Sequence, residues 1–225
     1  MGVNEGMVDP ENFEKWVRFA FDRKVHPRHR SKYSDQPKKD RGKDWYFQDK
    51  WSRQYDPKVL VRNVIRLFSR PSNFDRFSDD QVNQGLYYLA FGANLPDVLT
   101  NKSVPLSLRV RCVESMGELY AGVFEKREIE DSAFMWWDWF EGVPRNWKRG
   151  PLTANGKALL KAMLDTLEGI LKLKNHYCLR GALHGLGHQK TVRSRAIIQR
   201  FLRRNRDLDL HLKIYARECA TRNIV

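Results

Sequence analysis

Asp138 stands among Trp136, Trp137 and Trp139, and two histidines four residues apart, His184 and His188, bound the motif HGLGH. A carboxylate between tryptophans is a set of groups that can stack a nucleobase and stabilise positive charge developing on its sugar. The same indoles can anchor a partner protein. They can also form a hydrophobic plug, with Asp138 held by an arginine. The sequence leaves these readings open, with packing the simplest. His184 and His188 project from one face of a helix, with His176 two turns earlier, so a metal can be gripped there. A zinc site needs at least three ligands, however, and Gly185 occupies the place of the glutamate in HExxH. The spacing therefore predicts hydrogen-bonded packing histidines, with no metal and no cofactor.

A further constellation is electrostatic. Residues 190–206, KTVRSRAIIQRFLRRNR, contain seven Lys or Arg and no Asp or Glu. On a helical wheel Ile197, Ile198, Phe201 and Leu202 share one arc, while Arg193, Arg195, Arg200, Arg203, Arg204 and Arg206 fill the rest, preceded by Lys190. Guanidinium groups fixed in such an array suit phosphates or carboxylates. A second basic stretch, Val25 to Lys43, includes Lys38, Lys39 and Arg41 and has the Pro, Gly, Ser and charge content of a mobile loop. With a formal net charge of +14, the chain is expected to meet nucleic acid or an acidic protein.

The elements that must position these groups read as helices throughout. Asp9-Pro10-Glu11 signals a first helix running to about Arg23. Phe47, Trp51 and Tyr55 recur at helical spacing in an aromatic stripe with Lys50 and Arg53, which fits packing better than base stacking. Asp56-Pro57 caps KVLVRNVIRLF. Helices follow from Ser78, from Pro105, through FMWWDWF, from Asn155 to Lys172, from His176 to His188, through the arginine tract, and from about Leu208 to Thr221. No segment alternates with period two, so the fold is expected to be all-α. Residues 1–56 are assigned to an N-terminal helix, basic loop and aromatic helix, and 57–225 to a helical domain with an internal boundary near 145–155. Cys112, Cys178 and Cys219 lack any CxxC spacing and read as buried thiols of a reducing compartment. No leader and no apolar run of membrane-spanning length is apparent, which predicts a cytoplasmic protein without a membrane partner.

Two segments, VRCVESMGEL at 110–119 and ALHGLGH at 182–188, resemble the HEAT-type helix, with its valine-arginine start and its small-residue, leucine-glycine end. The resemblance implies an irregular HEAT-like α-solenoid, a scaffold whose stacked helix pairs present a binding face; a closed helical bundle is the alternative. One enzymatic branch, the HEAT-like alkylpurine DNA glycosylases, is similar in basic character and length, and for it Asp138, Trp136, Trp137 and Trp139 supply the residue types of the site.

No phosphate loop, nucleophile elbow or kinase signature is present. Glu125, Glu128, Glu130 and Asp131 read as a solvated acidic edge. The leading expectation is a non-enzymatic basic helical scaffold or adaptor that holds nucleic-acid phosphates or an acidic protein through its arginine helix and basic loop. The alternatives are a base glycosylase and a protein-interaction or immunity-type subunit of a larger assembly.

Overall fold

Local capping chemistry fixes where the helices begin. The Asp56 carboxylate accepts hydrogen bonds from the amides of Lys58 and Val59, and Pro57 fills a first-turn position where no amide is needed. Ser78 and Gln81 form a reciprocal capping box, as do Thr191 and Ser194. The computed structural model describes residues 12–26, 45–47, 55–147 and 150–221; Lys38, Lys39, Arg41 and most of the expected basic loop lie outside them. Among the described residues the chain is all-α. The helices are α1 (Phe13–Phe21), α2 (Pro57–Phe68), α3 (Asp79–Tyr87), α4 (Leu95–Thr100), α5 (Leu106–Leu119), α6 (Glu130–Met135), α7 (Ala154–Ile170), α8 (His176–Gln189), α9 (Val192–Arg204) and α10 (Leu210–Thr221).

Several boundaries differ from those expected. The side chain of Asn12 accepts from the Lys15 amide and caps α1, while Asp9, expected to cap it, lies outside the described residues. Between the helices expected from Ser78 and from Pro105 stands a further one, α4, with Pro96 in its first turn, where its missing amide costs nothing. Of the aromatic helix expected over 44–55, Trp45–Phe47 forms a single 3₁₀ turn, and Trp51 lies outside the described residues. No helix among the described residues is long and apolar enough to cross a membrane.

α5 packs between α2 and α7, while α8 is the hub for α6, α7, α9 and α10. One hydrophobic core joins them all. Phe21 of α1 stacks on Phe77 at 5.7 Å and meets Phe74 edge-on at 5.4 Å, so the segment 12–26 shares the core of the residues after 56. Across the boundary expected near 145–155, the 3₁₀ turn Val143–Arg145 packs on α7, and Gly156 lies against the Pro144 carbonyl. Packing is therefore continuous at both places, because each linker is crossed by buried apolar side chains or by close backbone contact.

The close approach that matters most for the site is made by α8. A Cβ on Gly181 would lie 2.1 Å from the Ala133 carbonyl oxygen, and one on Gly185 would lie 2.6 Å from Cβ of Trp137. Hydrogen as the side chain at these two positions, one turn apart, lets α8 rest directly on the segment 133–137. Gly181→Ala is expected to destabilise the protein by about 1–3 kcal/mol through overpacking. Gly169→Ala, where a Cβ meets nothing within 4 Å, should stabilise it by about 0.4–1 kcal/mol. Denaturant unfolding of both variants checks this, and a Gly181→Ala protein as stable as the parent would show that the approach is not a constraint.

Candidate functional site

Beyond Met135 the chain leaves α6 and winds through successive i→i+3 hydrogen bonds: Asp138 to Met135, Phe140 to Trp137 and Glu141 to Asp138. In such a tight turn side chains three residues apart eclipse one another. Asp138 and Glu141 thus share one side, and that side faces α8, where His184 and His188 share a face one turn apart. The pairing is in register. Asp138 Oδ1 lies 2.9 Å from Nε2 of His184 and 3.4 Å from Nε2 of His188, and Glu141 Oε2 lies 2.7 Å from Nδ1 of His188. The two Nε2 atoms are 3.1 Å apart.

The surroundings hold this cluster from behind. Nδ1 of His184 hydrogen-bonds the hydroxyl of Tyr215 on α10, and burial pushes that phenol well above its ordinary pKa, so it stays protonated. The Tyr215 hydroxyl in turn meets the Cys219 thiol. Phe134 covers the His184 ring at 4.6 Å, and the Arg180 guanidinium lies over the Phe134 and Tyr215 rings. His184 is buried, while Asp138, His188 and Glu141 reach toward solvent. Although Asp138 Oδ1 is close to two nitrogens and inaccessible to water, no N–H is directed at it. The set can hold a proton or a cation between a carboxylate and two imidazoles.

The sequence placed these residues apart, and the fold reassigns them. His176, expected to stand with the other two histidines, instead lines a separate groove with Arg180, His211 and Glu218. The third donor atom near His184 and His188 belongs to Asp138. Trp136 and Trp137 are fully buried, with Trp136 against Phe68, Phe140 and Trp139 and Trp137 stacked on Tyr120. Their faces are occupied by core side chains, so they are not presented to a nucleobase. Trp139 packs on Tyr87 and Phe91. Asp138 faces histidines, and no arginine among the described residues pairs with it.

The arginine tract forms α9, with Ile197, Ile198 and Phe201 buried beneath it. Two of its cations are tied down. Arg193 pairs with Asp165, and Arg200 with Glu168 at 2.8 Å, both on α7. Lys190, Arg195, Arg203, Arg204 and Arg206 are exposed, and the last four make no ion pair among the described residues. Where the ends of α7 and α9 meet, Lys172, Lys174, Arg200 and Arg204 rim a groove of about 400 Å³ floored by Leu179 and Phe201. Of the expected acidic edge, Glu125 accepts the Lys174 and Asn175 amides at 3.0 Å, and Asp131 accepts the Tyr87 hydroxyl.

Arg109 was not singled out by sequence reasoning. It is buried, its guanidinium reaches the Leu99 carbonyl at 3.4 Å, and it pairs with no carboxylate among the described residues. With Lys102 and Arg145 it lines a second basic cleft, of about 270 Å³, beside the start of α7. The sequence around Cys112 carries two cations, Arg109 and Arg111, and nothing in it marks Arg109 as the buried one. The three cysteines are free and buried, and burial pushes each thiol up to about 12, which leaves them unreactive.

The fold and site define a basic, all-helical protein carrying a carboxylate–histidine cluster. Comparison with known proteins finds no matching family, no matching curated sequence and no matching solved structure.

Partial burial raises the Asp165 carboxyl, and hydrogen bonds and charge from Lys161 and Arg193 outweigh it, so the group titrates below the usual carboxylate range. A depressed folded-state pKa contributes stability above the unfolded value and loses it as pH falls through the folded one. Asp165→Asn is therefore expected to lower the thermal midpoint at neutral pH and to match the parent in acid. Equal midpoints at neutral pH would show that the α7–α9 clamp carries no stability.

Proposed function

We propose that the chain is a helical scaffold that binds a polyanion, foremost a nucleic-acid backbone, along the outer surface of α9. The observation that carries this reading is the exposure of Arg195, Arg203, Arg204 and Arg206 without ion pairs, beside the groove rimmed by Lys172 and Lys174. Two neighbouring arginines are neutralised by α7, while the four exposed ones make no ion pair among the described residues, although Asp207 and Asp209 follow them in the sequence. Cations left unmatched on a rigid helix gain most from releasing the counterions of a phosphate chain. The apolar floor of the groove offers contact for sugars or bases, while its rim meets phosphates. The second cleft, with Arg109, Lys102 and Arg145, lies near the opposite end of α7 and fits an extended ligand. The HEAT-like segments at 110–119 and 182–188 lie in α5 and α8, which is in keeping with a scaffold. An adaptor for an acidic protein is the same surface with a different partner.

Phosphate contacts of this kind are independent of base sequence. A mixed-sequence duplex should bind with an affinity that falls steeply with salt, the slope decreasing by about 0.9 for each phosphate contact removed. The variant R203E/R204E/R206E is expected to lose at least about tenfold in affinity and to flatten that slope, since each lost contact removes one counterion-release contribution. Binding that ignores both salt and these substitutions would overturn the reading. A complex captured from cells that survives nuclease treatment and depends on the same arginines would assign the surface to an acidic protein.

A further inference from the structure

We infer that Asp138, His184 and His188 form a binding site for a divalent transition-metal ion. Nε2 of His184, Nε2 of His188 and Oδ1 of Asp138 are separated by 3.1, 2.9 and 3.4 Å. With bonds of about 2.05 Å, ligand atoms on one face lie about 2.9 Å apart in an octahedral site and about 3.35 Å apart in a tetrahedral one. The triangle of donors matches those edges, so a single ion can touch all three atoms without rearrangement.

Proton positions support the same assignment. His188 Nδ1 faces the Glu141 carboxylate at 2.7 Å, which favours its proton on Nδ1 and leaves its Nε2, 3.1 Å from Nε2 of His184, free to act as an acceptor or ligand. With the His184 proton on Nδ1, donated to Tyr215, and the Tyr215 proton directed to Cys219, the second Nε2 lone pair turns to the same point. In that tautomer the 3.1 Å contact between the two Nε2 atoms brings together two acceptors and a carboxylate oxygen, an arrangement that a cation among them relieves. Asp138 Oδ1, shielded from water with no N–H directed at it, is the atom left without a partner when no cation is there. A ligating histidine backed by a carboxylate on its other nitrogen is the usual outer-shell support of a metal site.

The donor set selects the ion class. Imidazole and carboxylate suit zinc or ferrous iron, and the thiols of Cys178 and Cys219 are not among the converging atoms. Three protein ligands leave at least one coordination position beyond the side chains that converge. That is the open arrangement in which a bound water or substrate oxygen completes the shell.

The test uses the full chain, stripped with a chelator and titrated with Zn²⁺ by calorimetry and with Co²⁺ by its visible d–d absorption. One equivalent should bind and raise the thermal midpoint. Asp138→Asn and His188→Gln, both on the solvent side, should abolish measurable binding while retaining the parent far-UV circular dichroism; His184→Gln should behave alike if it folds. Glu141→Gln should weaken affinity by about 10–100-fold as an outer-shell change. His176→Gln, in the separate groove, should leave affinity unchanged. Failure of the parent chain to bind, undiminished affinity in Asp138→Asn or His188→Gln, or loss in His176→Gln would each overturn the assignment.

Discussion

The contact on which the rest of the structure depends is backbone against backbone, where α8 lies on residues 133–137. The Ala133 carbonyl accepts a hydrogen bond from the buried Tyr120 hydroxyl at 2.6 Å, and Gly181 packs against the same oxygen. One peptide group thus gathers the end of α5, the end of α6 and the middle of α8. Any larger residue at Gly181 or Gly185 would lift α8 from this seat. The separation of His184 from Asp138 is set by that seating, since the histidines alternate with the glycines along the same helix. The core tryptophans serve the same end. Trp136 and Trp137 are buried on either side of the turn that carries Asp138, and their bulk fixes where the carboxylate points.

Charge is distributed with a consistent direction. Acidic residues are spent inside the molecule's own joints: Glu125 on the amides that open α8, Asp165 and Glu168 on α9, Asp79 on Arg127. Arg127 also donates to the carbonyls of Phe74 and Phe77, so even a cation can be consumed structurally. Each of these ion pairs removes one cation with one anion, so the arginines left without a carboxylate stand together on the outer side of α9. The excess collects beyond the last acidic residue of α7, where Arg203, Arg204 and Arg206 continue past the reach of Glu168.

Helical period, caps and breaks made the fold class legible in the sequence, as at Asp56-Pro57 and Ser78, because these signals act within a few residues. The buried arc of α9 was legible for the same reason. The start of α4 at Pro96 was not, since proline marks a helix beginning and a helix end equally well. The union of Asp138 with His184 and His188 was hidden for a different reason. It joins positions 46 residues apart, and it depends on the chain leaving the α-helix for a run of tight turns after Met135 that no residue there dictates. The separation of His176 from its neighbours likewise follows from the packing of α10 against α8. Helical spacing alone could name the two histidines but not the side of the helix on which a third donor would arrive.

Lys190, the cap of α8, adopts a left-handed backbone with φ of 49°, a conformation that costs a non-glycine residue roughly 1–2 kcal/mol. It is followed at once by Thr191, which caps α9. Only these two residues separate the helix of the histidines from the helix of the arginines, and both have their dihedral angles committed. Such an elbow has no slack, so α9 inherits its orientation from α8 much as a bracket follows the wall to which it is screwed. The two surfaces of this protein are geometrically one instrument: whatever tilts His188 by a few degrees also re-aims the arginines that follow it.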